Sequence, residues 1–322
     1  MIERRPGRAR RYDGAGWDRI IPSPLPEPGL ESVNRVAIAS MTPTGRDGMK
    51  RWLWMAVMVA SMICGTACAA PATRVEDTAT QIMAFAGEHR LVMLGEYHGT
   101  AETPLLVAEL MERYSRNDAP MRLGLEMPMS ENAALARYLR SNGDADARAA
   151  LRTSPFWRVK DNQHDGRRSR DMLALIETLR MLRLQGRDIG VAGYDIEISA
   201  YDSDVDRDAA MATHLRQQFS ALPTGTRMLV LTGNVHAMRH PFADAPPEMK
   251  HRTMASYLLD LPLYSVRVEA LHGQFWGCMA PCRALTLIER PEQDPVAETG
   301  VNRSYDVWVY LPELSVGTLT DP

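Results

Sequence analysis

Four short apolar runs in this chain each end in ionisable or hydrogen-bonding side chains, and this placement constrains the fold more than any other feature. Residues 91–94 run into Gly95-Glu96-Tyr97-His98, and residues 123–125 run into Glu126. Residues 189–192 run into Gly193-Tyr194-Asp195-Ile196-Glu197, and residues 228–231 into Thr232-Gly233-Asn234-Val235-His236. Runs this continuously apolar suit strands covered on both faces, as in parallel sheets. If the four are strands of one parallel sheet, their polar ends collect along one edge. That edge is where open α/β sheets hold their ligands.

The segments between these runs have helical periodicity. Helices are expected at 75–88, 103–116, 131–141, 144–151, 167–185 and 204–222, with Leu106, Leu110 and Tyr114 four apart on one face. Strand and helix therefore alternate. The pattern predicts an α/β fold: a mainly parallel central sheet flanked by helices, with additional C-terminal strands. Those later strands are expected at 264–271, 274–279 and 306–311, the first two joined by a hairpin turn at His272-Gly273. A Pro-containing loop at 236–250 and a short helix at 252–259 precede them.

The N-terminal part reads differently. Lys50-Arg51 precede an almost unbroken apolar stretch, 52–63, and small residues then lead to Cys68-Ala69-Ala70. These are the charged, apolar and cleavage regions of a secretory signal. The run is short of the about 20 residues a membrane span needs. Two outcomes fit: cleavage at Ala67-Cys68-Ala69, leaving a soluble product, or lipidation of Cys68 in a Gly65-Thr66-Ala67-Cys68 lipobox. On this reading 1–48 are a non-native or disordered leader, 49–70 the signal, and 71–322 a single domain. Export to the periplasm or outer membrane is expected, with membrane contact only through a lipid anchor.

Net charge is −3 at pH 7, and the first 70 residues are rich in arginine, so the remainder is more acidic still. That argues against a nucleic-acid partner. Beyond the signal the cysteines are Cys278 and Cys282. In an exported chain they are expected to form a disulfide clip, and their spacing is not that of a C-x-x-C motif.

The candidate chemistry lies at the strand ends. Glu96 and His98 are two apart, so in an extended segment they face the same way. A carboxylate beside an imidazole can orient it, raise its basicity, or join it in holding a metal. Asn234 and His236 repeat the spacing, as do Asp195 and Glu197, and Glu126 adds a carboxylate. Each has a plainer reading: Glu96 or Thr100 as a helix cap, Asp195 as a turn cap, His236 as an exposed side chain. Their coincidence at one edge favours a shared site. Arg168 and Asp171, one turn apart, either reach that edge or form a surface ion pair. His164 is expected in a lid or pocket wall. The chain has no G-x-S-x-G elbow, H-E-x-x-H, P-loop or G-x-G-x-x-G, so serine-hydrolase, zincin and nucleotide readings lose most of their support.

Several segments match, in order, motifs of one known group. They are Gly95-Glu96-Tyr97-His98-Gly99-Thr100 with Glu102, then Glu126, Gly193-Tyr194-Asp195, Arg207-Asp208-Ala209-Ala210-Met211-Ala212 and Gly233-Asn234-Val235-His236-Ala237. Together they resemble the superfamily uniting erythromycin esterases, ChaN-type haem-binding uptake proteins, TraB proteins and Tiki proteases. The resemblance implies a hydrolase acting on an ester or amide of a small-molecule or peptide substrate. His98 or His236 would be the general base on water, oriented by Glu96 and Glu126. Alternatively Glu96, His98, Glu126 and His236 would hold a divalent metal that activates the water. Tyr97, Arg168, Asp195 and Asn234 would bind substrate or support the site. The ChaN resemblance implies instead a haem or iron carrier, with Tyr97, His98 or another exposed Tyr or His as axial ligand. A degenerate member with a structural role is a third reading.

Overall fold

The computed structural model describes residues 74–158, 164–200, 205–245, 247, 250–278, 281–291 and 294–320. The expected leader, the signal and Cys68 lie outside the described residues. Among the described residues, no helix is long and apolar enough to cross a membrane.

Among the described residues, eight strands form one sheet in the order β3-β2-β4-β1-β5-β8-β7, with β6 paired to β5. The first four strands are β1 (Leu91–Glu96), β2 (Met121–Pro128), β3 (Ile189–Asp195) and β4 (Arg227–Gly233). They are followed by β5 (Leu263–Cys278), β6 (Cys282–Thr286), β7 (Val296–Ala297) and β8 (Val307–Leu314). All pairings from β3 across to β8 are parallel; β6 and β7 add antiparallel edges. The α/β, mainly parallel architecture read from the sequence is the one observed.

Helices α1 (Arg74–Ala86), α2 (Glu102–Tyr114), α3 (Asn132–Leu139), α4 (Ala145–Leu151), α5 (Arg170–Leu184), α6 (Arg207–Ser220) and the one-turn α7 (Asn234–Ala237) surround the sheet. Alternation along β1 divides its side chains between two cores. Val92 and Leu94 pack with Ile82, Leu106, Leu110 and Leu179 on one face. Leu91 and Met93 pack with Met211, Leu215 and Leu258 on the other. Covering both faces is what lets β1 be buried along its whole length.

Three sequence-based boundaries differ. The 167–185 helix begins only at Arg170, because the Ser169 hydroxyl caps it by accepting the Met172 N–H at 3.0 Å. The 252–259 helix is a single 3₁₀ turn, Ala255–Tyr257. The predicted His272-Gly273 turn does not exist: β5 runs straight through it, and the hairpin lies between β5 and β6. Gly273 has φ +123°, and a Cβ there would collide with the Leu314 backbone. The glycine lets the continuous strand approach the β8 backbone closely instead of reversing it. Cys278 and Cys282 pair across the true hairpin and are joined by a disulfide.

Candidate functional site

The C-terminal ends of β1, β2, β3 and β4 lie side by side, so Glu96, Glu126, Asp195 and Gly233 reach one edge. Glu126 stands at the centre, with a side chain only 4% exposed. Its Oε2 accepts the Thr232 hydroxyl at 2.8 Å and the Gly233 N–H at 2.7 Å. Its Oε1 accepts Arg207 at 2.7 Å and Arg167 at 3.2 Å. Burial raises the Glu126 carboxyl pKa, but His98, His236, Arg207 and Arg167 outweigh it and hold the pKa well below its ordinary 4.5. Glu126 is thus a permanent anion and a poor proton acceptor.

Two imidazoles flank it. His98 Nδ1 bonds Glu96 Oε1 at 3.0 Å, and its Nε2 lies 3.7 Å from Glu126 Oε1. His236 Nδ1 bonds Asp208 Oδ1 at 2.8 Å, and its Nε2 lies 3.9 Å from the same Glu126 oxygen. Each ring is therefore held from behind by a carboxylate and turned toward a shared centre. The rings remain 21% and 18% exposed. A Cβ on Gly233 would sit 2.9 Å from His98 Nε2 and 3.5 Å from His236 Cδ2, so glycine is the residue that leaves both rings room.

The two histidines differ electrically. Burial disfavours charge on His98, but Glu126 and Glu96 outweigh it and push its pKa from 6.5 up to about 10. Glu96 itself is pushed up by burial and drawn back by its bond to His98. With two carboxylates on one imidazole, His98 is an imidazolium at neutral pH. Its folded pKa lies above the unfolded one. The stability it contributes is therefore complete below pH 6.5 and lost as pH rises through about 10. Urea unfolding of wild type and His98→Gln is expected to show a gap at neutral pH that closes beyond the folded pKa. A gap independent of pH would refute the charge assignment. His236 Nε2 lies 3.2 Å from an Arg207 guanidinium nitrogen, a geometry that suits a ring protonated on Nδ1 with a lone pair on Nε2.

Local structure explains how adjacent residues serve different partners. Asp206 caps α6 by accepting the Ala209 N–H at 3.0 Å, so Arg207 and Asp208 occupy its first turn, pointing to different sides. Arg207 bridges Glu126 and Asp195, the latter at 2.7 Å, while Asp208 backs His236 and accepts the Met254 N–H at 2.6 Å. Arg167 comes from the bend before α5 and reaches both Glu126 and Asp195, the latter at 3.0 Å. That segment is held by the C-terminal tail through Ser169–Leu319 bridging. Asp165 pairs with Arg167 at 2.6 Å and with Arg168 at 3.1 Å; these arginines override the effect of its burial and depress its carboxyl pKa.

The structure gathers Glu96, His98, Glu126, Asp195 and His236. The other candidates fall elsewhere. Tyr97 turns away: its hydroxyl donates to Glu269 at 3.3 Å and its ring lies 4.5 Å from Phe275. Arg168 does not pair with Asp171. It is buried over Phe156 and pairs with Asp165, while Asp171 accepts the Thr318 N–H at 2.9 Å. Asn234 contributes its backbone carbonyl, which accepts the Tyr305 hydroxyl at 2.8 Å. Glu197 is exposed and binds Ser130 at 2.8 Å. His164 is buried, its Nδ1 accepting the Gly166 N–H at 3.1 Å. Thr100 and Glu96 do not cap α2; Thr100 bonds Thr103 at 2.9 Å. Arg167, Arg207 and Asp208 belong to the site and were not among the sequence candidates. The Arg207-Asp208 pair stood in a recognised motif, but it read as helix.

Glu96, His98, Glu126 and Arg167 border a small pocket floored by Leu125, Met127, Met172 and Leu231. Among the described residues, no three His, Cys, Asp or Glu side chains converge in a way that could hold a metal ion.

No family model matches the sequence, and no curated protein matches it. Three solved structures share its architecture. A mutant of the erythromycin esterase EreC in its open conformation aligns with TM-score 0.55 and 12% identity, over 76% of this chain and 95% of that one. A succinoglycan biosynthesis protein gives TM-score 0.57 and 12% identity, over 78% and 94%. A Bacillus cereus protein gives 0.51 and 12%, over 78% and 95%. The fold is erythromycin-esterase-like. At this identity the erythromycin-esterase-like fold is what is shared, and the chemistry has to be argued from this chain's own side chains.

Proposed function

We propose that this chain is a metal-independent hydrolase that cleaves an ester or amide bond in a small-molecule or peptide substrate. The observation that carries the reading is the pair of carboxylate–imidazole dyads meeting at Glu126 Oε1. His236 is the general base: Asp208 holds its Nδ1–H, and its Nε2 lies beside Glu126 Oε1 and Arg207, where water displaces the Arg207 contact to reach the lone pair. His98 is the general acid, since it already carries a proton. His236 takes a proton from water as the water oxygen attacks the carbonyl carbon. The oxyanion forms among the His98 imidazolium and the Arg207 and Arg167 guanidiniums. Collapse breaks the C–O or C–N bond, and His98 protonates the leaving group. Two like side chains in different surroundings can divide acid from base, as paired catalytic groups commonly do. The rate is expected to fall as pH rises through about 10, when His98 loses its proton.

Glu126 would be the centre of any metal-ligand set, and its carboxylate accepts hydrogen bonds from Thr232, Gly233, Arg207 and Arg167, two of them guanidiniums. Two resident cations at that carboxylate disfavour a third, divalent one. Haem ligation is disfavoured because Tyr97 is committed to Glu269, and both nitrogens of His98 face carboxylates. Export is part of the proposal. The signal-like segment at 49–70 and the Cys278–Cys282 disulfide both suit an oxidising compartment, with the mature chain soluble or anchored through Cys68.

The test is hydrolysis of a panel of activated esters and anilides by protein stripped of metal with EDTA. Turnover unchanged by the chelator is expected. Activity that vanishes with EDTA and returns with zinc or manganese would replace this mechanism with a metal-assisted one. A Soret band on haemin addition, with no hydrolysis of any substrate, would favour the carrier reading.

A further inference from the structure

The β5–β6 hairpin lies far along the chain from the strand ends, yet it is fastened to two segments that feed the site. The Trp276 N–H donates to the His98 carbonyl at 3.2 Å. The Trp276 indole N–H donates to the His164 carbonyl. Beneath it Gly99 and Gly166 touch backbone to backbone: a Cβ on Gly99 would lie 2.5 Å from the Trp276 Cβ and 2.8 Å from the Gly166 Cα. Trp276 thus pins His98 on one side and the segment carrying Asp165 and Arg167 on the other. Two residues further along, Cys278 Sγ lies 3.8 Å from the same His164 carbonyl, and the disulfide ties Cys278 to Cys282.

The disulfide's position suits a local role. It joins residues only 4 apart in sequence, so it removes little entropy from the unfolded chain. Cys278 is exposed, so a dithiol can reach it.

We propose that Trp276 is a positioning residue, and that the Cys278–Cys282 disulfide makes its grip on His98 and Arg167 dependent on redox state. A dithiol reductant gives two cysteine thiols on the protein and is itself oxidised to its disulfide, releasing the hairpin end. The Trp276 contacts then loosen, and His98 and Arg167 lose their fixed distance to Glu126. The proposal rests on the hydrolytic reading of the site, so its test also has a readout that needs no turnover.

The experiment compares the full chain in oxidised form, reduced with dithiothreitol, reoxidised, and as Trp276→Phe. Hydrogen exchange followed by mass spectrometry reads the 96–101 and 164–169 segments, and kinetics reads kcat and KM on whichever ester is turned over. Reduction and Trp276→Phe are each expected to speed exchange in both segments and leave the α1–α2 region unchanged. Both are expected to lower kcat about ten- to a hundredfold, the scale of a small misplacement of catalytic groups, with KM little altered. Reoxidation is expected to restore both readouts. Faster exchange in a protein that hydrolyses nothing would keep the clamp and remove the hydrolase. Unchanged exchange in protein whose thiols are shown to be free would overturn the clamp, whatever the activity.

Discussion

Replacing Glu126 with alanine is expected to cost about 3–5 kcal/mol of folding stability, the usual result of removing one partner from a buried charge network. The cost comes from what is left behind. Arg167 is buried and Arg207 three-quarters buried, and both lose an anion they contact at 3.2 and 2.7 Å. The imidazolium of His98 loses the larger of its two charge partners. The Thr232 hydroxyl and Gly233 N–H lose their acceptor. Asp195 still faces both arginines and limits the damage. Against a typical total stability of about 5–15 kcal/mol, the alanine variant sits near the edge of folding. Glu126→Gln keeps the shape and removes only the charge, so it is the variant to purify. Urea unfolding at neutral pH reads the effect, expected to be smaller for Gln than for Ala. A loss within the roughly 0.5 kcal/mol of an ordinary surface change would mean that the cations do not depend on Glu126.

The second large effect is kinetic. His236→Gln is expected to lower kcat by about 10²–10⁴, the usual contribution of a general base, with little change in stability. The ring is partly exposed, and Asp208 keeps its bond from the Met254 N–H when the ring is gone. Asp208→Asn should fall less far, because it misorients the base without removing it. Added imidazole should partly restore a His236→Ala variant, since the ring it replaces is 18% exposed. His98→Gln should also slow the reaction but without imidazole rescue, because its role depends on a charge fixed by two carboxylates. Full activity in His236→Gln would remove His236 from the mechanism as its base.

The spacing rule that located the site succeeded once and failed twice, for a physical reason. At Glu96/His98 the chain is still extended beyond β1, so side chains two apart share a side and form the dyad. At Asn234/His236 helix α7 begins at once, and two residues span more than half a turn. His236 takes its carboxylate from Asp208, which a different helix delivers. At Asp195/Glu197 the strand ends at Asp195, and Glu197 turns out to Ser130. Arg167 was misplaced because its neighbours have helical periodicity, while the Ser169 cap starts the helix three residues later. Tyr97 follows the alternation that carries its neighbours Glu96 and His98 inward, and so faces β5.

The sequence by itself determined the four strands that carry the site, their alternation with helices, and the edge where ionisable groups gather. These follow from local periodicity and from the need of buried strands to be covered on both faces. Tertiary structure alone decided that Asp208 backs His236, that two arginines neutralise Glu126, and that His98 is charged. Such properties depend on distances and burial between groups far apart in the chain, and charge state responds to the summed field of neighbours that no sequence spacing encodes.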